Sequence, residues 1–220
     1  MITRIGMAPR RQDMTIDQFQ RHWRTSHADA AGQIPGVLRY TQNHSLVEFG
    51  RYLLGYPGFD ACSELDFESV EAMESGFASE TYQTLVRDDE DDFVDKTRFS
   101  LVVTTPTVVI DGALDGVKLM RLFRTHPSRT QEELLATLTG PIAEALGDVG
   151  ARYVVYQPVD EPHSGPKASF DAIATVWLGR KGSGVVRDAL ASPQWAASEL
   201  TLAGIASGTV MLAATTVEVV

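Results

Sequence analysis

Four short sequence matches recur in the same order at almost constant spacing. Phe59-Asp60-Ala61 returns as Phe170-Asp171-Ala172, and Phe77-Ala78-Ser79 as Leu190-Ala191-Ser192. Arg39-Tyr40 returns as Arg152-Tyr153, and the run Leu101 to Thr105 as Leu212 to Thr216. Every offset is 111 or 113 residues, which marks an internal duplication of a unit of about 110 residues. The 220-residue chain therefore divides into residues 1–110 and 111–220. The copies differ in their polar residues. At these offsets His22, Trp23, His27 and Glu64 align with Leu135, Ala136, Gly140 and Thr175. One working site, in the first half, is expected on a pseudo-symmetric scaffold.

Periodicity gives each copy the order strand, helix, strand, strand, helix, strand. In the first half the strands fall at Ile2–Ala8, Val37–His44, Phe59–Phe67 and Arg98–Thr104. Thr15 with Gln18 three residues on forms a capping box. The apolar stripe of Phe19, Trp23 and Ala30 then predicts a helix from about Ile16 to about Ala31. The second half repeats the order, with its first helix interrupted at Gly140-Pro141 and its second near Pro193. In such a unit the helices cover one sheet face, and the bare apolar face needs a partner. The second copy is the natural one, so the two sheets are expected to pack face to face. The join near Asp111-Gly112-Ala113 is too short for a free linker.

The formal net charge of −10 lacks the basic footprint of a nucleic-acid binder. The single cysteine, Cys62, rules out a disulfide within the chain, and no segment has the length of a membrane span. A cytoplasmic protein acting on a small molecule is expected, with neither nucleic acid nor membrane as partner. It would be a monomeric pseudo-dimer or a homodimer. The acidic run Asp88 to Asp92 reads as a solvated helix end rather than a metal site.

The candidate chemistry lies in the first half. On an ideal helix His27 stands about 80° from Phe19 on one side of the stripe, and His22 about 60° on the other. An imidazole can donate or accept a proton near neutral pH, which suits acid–base work. The five-residue separation of His22 and His27 is not zinc spacing. On the second strand Leu38, Tyr40, Gln42 and His44 share a face. Tyr40 either points into the inter-sheet space as a hydroxyl donor or is an aromatic core residue. His44 stands at the strand end. Glu64 lies between apolar residues and needs a partner if buried, as a raised-pKa acid, a histidine anchor or an ion pair with an arginine such as Arg4.

The stretch Arg4 to Arg11, Met14-Thr15, Phe19, His22-Trp23 and His27 resembles EthD-type domains, named for a protein required for ethyl tert-butyl ether degradation. So do Pro35-Gly36, Arg39-Tyr40, Gln42-Asn43-His44, Glu64 and Phe93-Val94-Asp95. The resemblance covers residues 1 to about 105. It implies an α+β fold of the dimeric α+β barrel superfamily, here two ferredoxin-like βαββαβ halves in one chain. Relatives include methylmuconolactone isomerases, polyketide cyclases, decarboxylases, cofactor-free monooxygenases and haem proteins. In the isomerases, a helix histidine and a strand tyrosine matching His27 and Tyr40 line the pocket, whereas their pocket cysteine corresponds to Leu65. The expectation is a cofactor-independent lyase, isomerase or cyclase for a partly apolar carbonyl or phenolic compound. His27 and Tyr40 would be catalytic, with His22, Trp23, His44 and Glu64 binding the substrate. A non-catalytic carrier is one alternative. A haem-binding or cofactor-free monooxygenase, with His27 or His22 as axial ligand in the haem case, is another.

Overall fold

Both halves follow the strand and helix order that periodicity predicts, in a computed structural model that describes residues 1–160, 162–166 and 170–220. Strand β1 is Ile2–Ala8. Helix α1, Ile16–His22, starts on the Thr15/Gln18 capping box. The backbone widens into a π-turn at Trp23–His27 and continues as α2, Ala28–Ala31. Strand β2 is Arg39–Ser45, and Val47–Glu48 (β3) pairs with Arg51–Tyr52 (β4) as a small hairpin. Strand β5 is Ala61–Phe67. Helix α3, Val70–Ala78, leads through a second π-turn, Thr81–Val86, into α4, Arg87–Phe93. Strand β6, Ser100–Ile110, runs past the expected end at Thr104, because its second half pairs with a strand of the other copy.

The second half contains β7, Val117–Thr125, and α5, Gln131–Thr137, the latter started by a Thr130/Glu133 capping box. A π-turn at Leu138–Ile142 takes up Pro141, and α6, Ala143–Leu146, comes next. Strands β8, Arg152–Pro158, and β9, Ala172–Trp177, precede α7, Ser183–Leu190, and α8, Pro193–Leu202. The last strand is β10, Ala206–Glu218. The two capping boxes, and the two π-turns beyond them, align the first helices at an offset of 115. The structural counterparts of His22, Trp23 and His27 are therefore Thr137, Leu138 and Ile142. This corrects the sequence alignment by two residues. Glu64 does correspond to Thr175, and Tyr40 to Tyr153.

Eight strands close into one barrel in the order β1-β5-β2-β10-β7-β9-β8-β6. Each half supplies four neighbouring strands, β6-β1-β5-β2 and β10-β7-β9-β8. The sheets do not only face one another, as the bare-face argument expects. They also join edge to edge, β10 to β2 and β6 to β8, so both sheets lose their open edges. Ile5, Met7, Cys62, Met120, Leu122 and Ile173, from both halves, pack inside the barrel. An eight-stranded barrel is just wide enough for side chains to fill.

Residues 1–110 expressed alone would bare the edges of β2 and β6 together with the inner sheet face. Such a fragment should self-associate, as read by light scattering at micromolar concentration. A folded fragment that stays monomeric would contradict this account of the closure.

Candidate functional site

Outside the barrel, between the β1-β5-β2 sheet and the helices of the first half, lies a cavity of about 330 Å³. Its floor includes Arg4, Tyr40, Leu65 and Leu101, and its helical wall includes Trp23, His27, Met73 and Phe77. The second half contributes Ser164, Gly165 and Pro166 to the rim. Ser164 holds Glu74 through its backbone N–H and its hydroxyl, at 2.8 and 2.7 Å.

The π-turn decides what the two histidines can do. On a regular helix, five positions would separate them by about 140°. An i→i+5 turn brings them to one side instead. His27 Nδ1 and His22 Nε2 each lie 2.8 Å from a different oxygen of Asp89. Since a carboxylate only accepts, both ring nitrogens donate. Burial opposes ionisation of Asp89, but the bonds from His27 and His22 outweigh it and hold the carboxyl below its usual range. The ring of Phe93, one helical turn beyond Asp89, lies 4.7 Å from the His22 ring and 4.9 Å from the His27 ring. With Nδ1 engaged, Nε2 is the nitrogen that His27 has left for chemistry. It has no hydrogen-bond partner among the described residues.

Tyr40 is buried under the same helix, on the helix face of β2 and not in the inter-sheet space. Its oxygen accepts from Trp23 Nε1–H at 3.1 Å and from Gln42 Nε2–H at 3.0 Å. With both lone pairs used, the hydroxyl hydrogen is free to be donated. Burial pushes the phenol well above its ordinary pKa, so it stays a donor. Trp23 lines the cavity and positions Tyr40. Gln42 fixes both, its amide also donating to the Trp23 carbonyl at 2.6 Å.

Three expected substrate-binding residues do not line this cavity. His22 holds Asp89 from behind. His44 is buried rather than exposed at the strand end. Its ring stacks on Trp23 at a centroid distance of 4.6 Å, and its Nε2–H donates to Gln42 Oε1 at 2.9 Å. Glu64 points into the barrel, because β5 alternates and Leu65 takes the helix face. Its partner is Lys118 of the second half, not Arg4. Asn43 donates to it at 2.9 Å and Tyr156 at 3.2 Å, while Lys118 sits 4.3 Å from the Trp177 ring centroid. Burial pulls the Lys118 ammonium below its ordinary pKa, with Glu64 pulling the other way. This network fixes one half against the other.

Asp89 and Gln42 are the members of the site that sequence reasoning did not single out. Asp89 lies inside an acidic run that reads as solvated. The only sequence signal for it is its spacing of four from Phe93, an apolar residue that must face inward.

Burial, with the nearby Arg24 charge adding to it, pushes the His44 imidazole down to about 3. Unfolded, it takes a proton below about 6.5. Between these values the unfolded state binds the extra proton, so stability should fall as pH drops from 6.5, by at most about 1.4 kcal/mol per pH unit. His44→Phe keeps a ring against Trp23 and removes the proton. Denaturant titrations between pH 6.5 and 5 should show a flatter profile for this variant. An unchanged slope would contradict the assignment.

A wider groove of about 620 Å³ is bordered by Arg10, Tyr52, Tyr56, Asp60 and Arg98. In it Asp60 pairs with the Arg10 guanidinium at 2.9 Å and accepts from the Tyr52 hydroxyl and, at 3.2 Å, from the Tyr56 hydroxyl. Among the described residues no group of side chains is arranged to hold a metal ion, and no helix is long and apolar enough to cross a membrane.

Residues 11–97 match the model of the EthD domain. No curated protein matches the sequence. Among solved structures, an anthrone oxidase-like protein is similar at a TM-score of 0.67 and 13% identity, over 99% of this chain and 93% of that one. A candidate monooxygenase from Fusobacterium nucleatum subsp. nucleatum aligns at 0.62 and 7% identity, over 98% and 91%. Another from Lactobacillus acidophilus NCFM aligns at 0.59 and 12%, over 100% and 94%. At these identities the likeness establishes the mixed α+β fold over the whole chain.

Proposed function

We propose that this EthD-domain protein is a cofactor-independent enzyme that takes a proton from an acidic C–H or O–H group of a small, partly apolar substrate. The fold reading behind it is a duplicated ferredoxin-like unit, residues 1–110 and 111–220, with the working site in the first copy. The observation that carries the proposal is the His22–Asp89–His27 arrangement at the wall of a partly apolar cavity that Tyr40 also lines.

In this reading Asp89 fixes the His27 ring with its proton on Nδ1. Nε2 accepts the proton from the substrate. Asp89 stabilises the imidazolium that forms, as a buried carboxylate partner does in other acid–base dyads. Tyr40 donates its hydroxyl hydrogen to the oxygen on which negative charge develops. His27 returns the proton at a different atom of the substrate, which makes the net reaction an isomerisation, or a cyclisation or elimination where the anion attacks or expels a group.

A second reading has support from the similarity to an anthrone oxidase-like protein. The same substrate anion, once formed, would add dioxygen at its carbanionic carbon, and the peroxide would lose water to leave a quinone carbonyl, one oxygen atom entering the product and the other leaving as water. The two readings share the proton abstraction and differ in the fate of the anion.

Both are tested by incubating the protein with a panel of lactones, phenolic acids and anthrones, with and without air, and analysing products by mass spectrometry. Product that forms without oxygen supports the isomerase class, and oxygen consumption matched to product supports the oxygenase. Tight binding of such compounds with no turnover under either condition would favour a carrier and sink both.

A further inference from the structure

Arg4 stands in the middle of β1, on the sheet face that floors the cavity. Its guanidinium carbon lies 4.3 Å from the Phe77 ring centroid and 5.6 Å from that of Phe99. A Cβ at Gly6, two residues on and on the same face, would meet Ser63 Oγ at 2.7 Å and the Phe99 ring at 3.2 Å, and would only touch Arg4 Nη1, at 3.4 Å.

Among the described residues no hydrogen bond or ion pair reaches the Arg4 side chain. The carboxylates around the cavity are engaged elsewhere. Glu74 is held by Ser164, and Glu90 receives Lys96 at 3.5 Å and the Tyr82 hydroxyl at 3.3 Å. The other two cations of the wall are also occupied. Lys96 pairs with Asp91 at 2.8 Å, and Arg87 donates to Gln83 Oε1 at 2.9 Å. A guanidinium keeps its charge at any working pH and carries five N–H donors in a plane. Burial lowers the Arg4 value, and Tyr82, Glu90 and Glu74 oppose that shift only in part. The stacked, half-buried Arg4 guanidinium makes no direct ion pair among the described residues, although Glu74 and Glu90 lie near enough to act on its charge, and its planar fork of N–H groups suits a carboxylate entering the cavity.

Register places this site relative to the reacting groups. Arg4 pairs with Leu65 and Leu65 with Tyr40, so the three form one row across β1, β5 and β2. Two strand spacings put the Arg4 and Tyr40 backbones about 10 Å apart. Met73, Phe77 and Leu101 supply apolar surface to the same cavity.

We propose that Arg4 anchors a carboxylate of the substrate, which is therefore an organic acid of one or two rings whose reacting oxygen lies at Tyr40. This rests on the catalytic reading of the cavity and adds the substrate's charge and length to it. Arg4 acts as a specificity residue, selecting acids over neutral analogues of the same shape.

The test measures binding of three probes, 4-hydroxycinnamate, 6-hydroxy-2-naphthoate and 1-hydroxy-2-naphthoate, each against its primary amide, by calorimetry and tryptophan fluorescence. The full-length protein should bind at least one acid about 10- to 100-fold more tightly than its amide, the worth of one charge-assisted contact. Arg4→Gln should bring the ratio to about one with the amide's affinity unchanged, and Arg4→Lys should keep part of the preference. His27→Gln should keep all of it. An equal or absent response to acid and amide across the panel, measured on the unaltered protein, overturns the proposal whether or not the variants fold. So does a preference that survives in Arg4→Gln. If Arg4→Gln abolishes the preference while His27→Gln retains full turnover, the anchor stands and the acid–base reading falls.

Discussion

His27→Gln should lower turnover by about 10²–10⁴-fold, the usual contribution of a positioned acid–base group. The amide is close to imidazole in size and can still hydrogen-bond Asp89, so the cavity and its affinity should change little. The loss should therefore appear in kcat and not in KM. Asp89→Asn should be nearly as severe, since an amide no longer fixes the His27 tautomer or stabilises its charged form. Tyr40→Phe should cost about 10²-fold, as one lost donor to a developing oxyanion. His22→Gln should be milder than any of these, because His22 touches Asp89 and not the cavity. Full turnover in His27→Gln, with a substrate from the panel, would remove the base from the account.

The second large effect concerns stability. Glu64→Leu should destabilise the protein by about 3–5 kcal/mol, because it leaves the Lys118 ammonium buried without its counter-charge. Asn43 and Tyr156 lose their acceptor at the same time. For a chain of this size that corresponds to a melting point lower by roughly 6–20 °C. Adding Lys118→Met should recover most of the loss, since replacing a whole buried pair by apolar groups is often near neutral. The pair bridges the two halves, so a thermal melt of the single and double variants reads how strongly this contact holds the barrel closed. A change below about 1 kcal/mol in the single variant would contradict that role.

The strands and helices were legible because their signals are local. The Thr15/Gln18 box marks the start of α1, and the Phe19-Trp23-Ala30 stripe sets which side of the helix is buried. The gathering of His27, Trp23 and Tyr40 at one cavity results from that stripe and from the alternation of β2. What was not legible is what depends on the third dimension. A π-turn leaves no local mark in Trp23–His27, yet it moves the two histidines from opposite flanks of the stripe to one carboxylate. A π-turn also appears at Leu138–Ile142, where Leu138 and Ile142 stand at the positions of Trp23 and His27, so it does not depend on the histidine. Asp89 is chemically indistinguishable from its acidic neighbours until the helix is docked. The pairing of Glu64 with Lys118 joins strands of different halves, which periodicity within either strand cannot report. The closure of β2 onto β10 and of β6 onto β8 is hidden for the same reason.

In the proposed reaction His27 removes a proton from the bound substrate, whatever the anion does next. Deuterium uptake from heavy water at the acidic carbon of a bound lactone or anthrone, tracked by mass spectrometry under nitrogen, measures that step alone. The account predicts rapid uptake with the unaltered protein and a rate lower by about 10²-fold or more with His27→Gln. Equal uptake rates in the two proteins, with the compound bound in both, would contradict it.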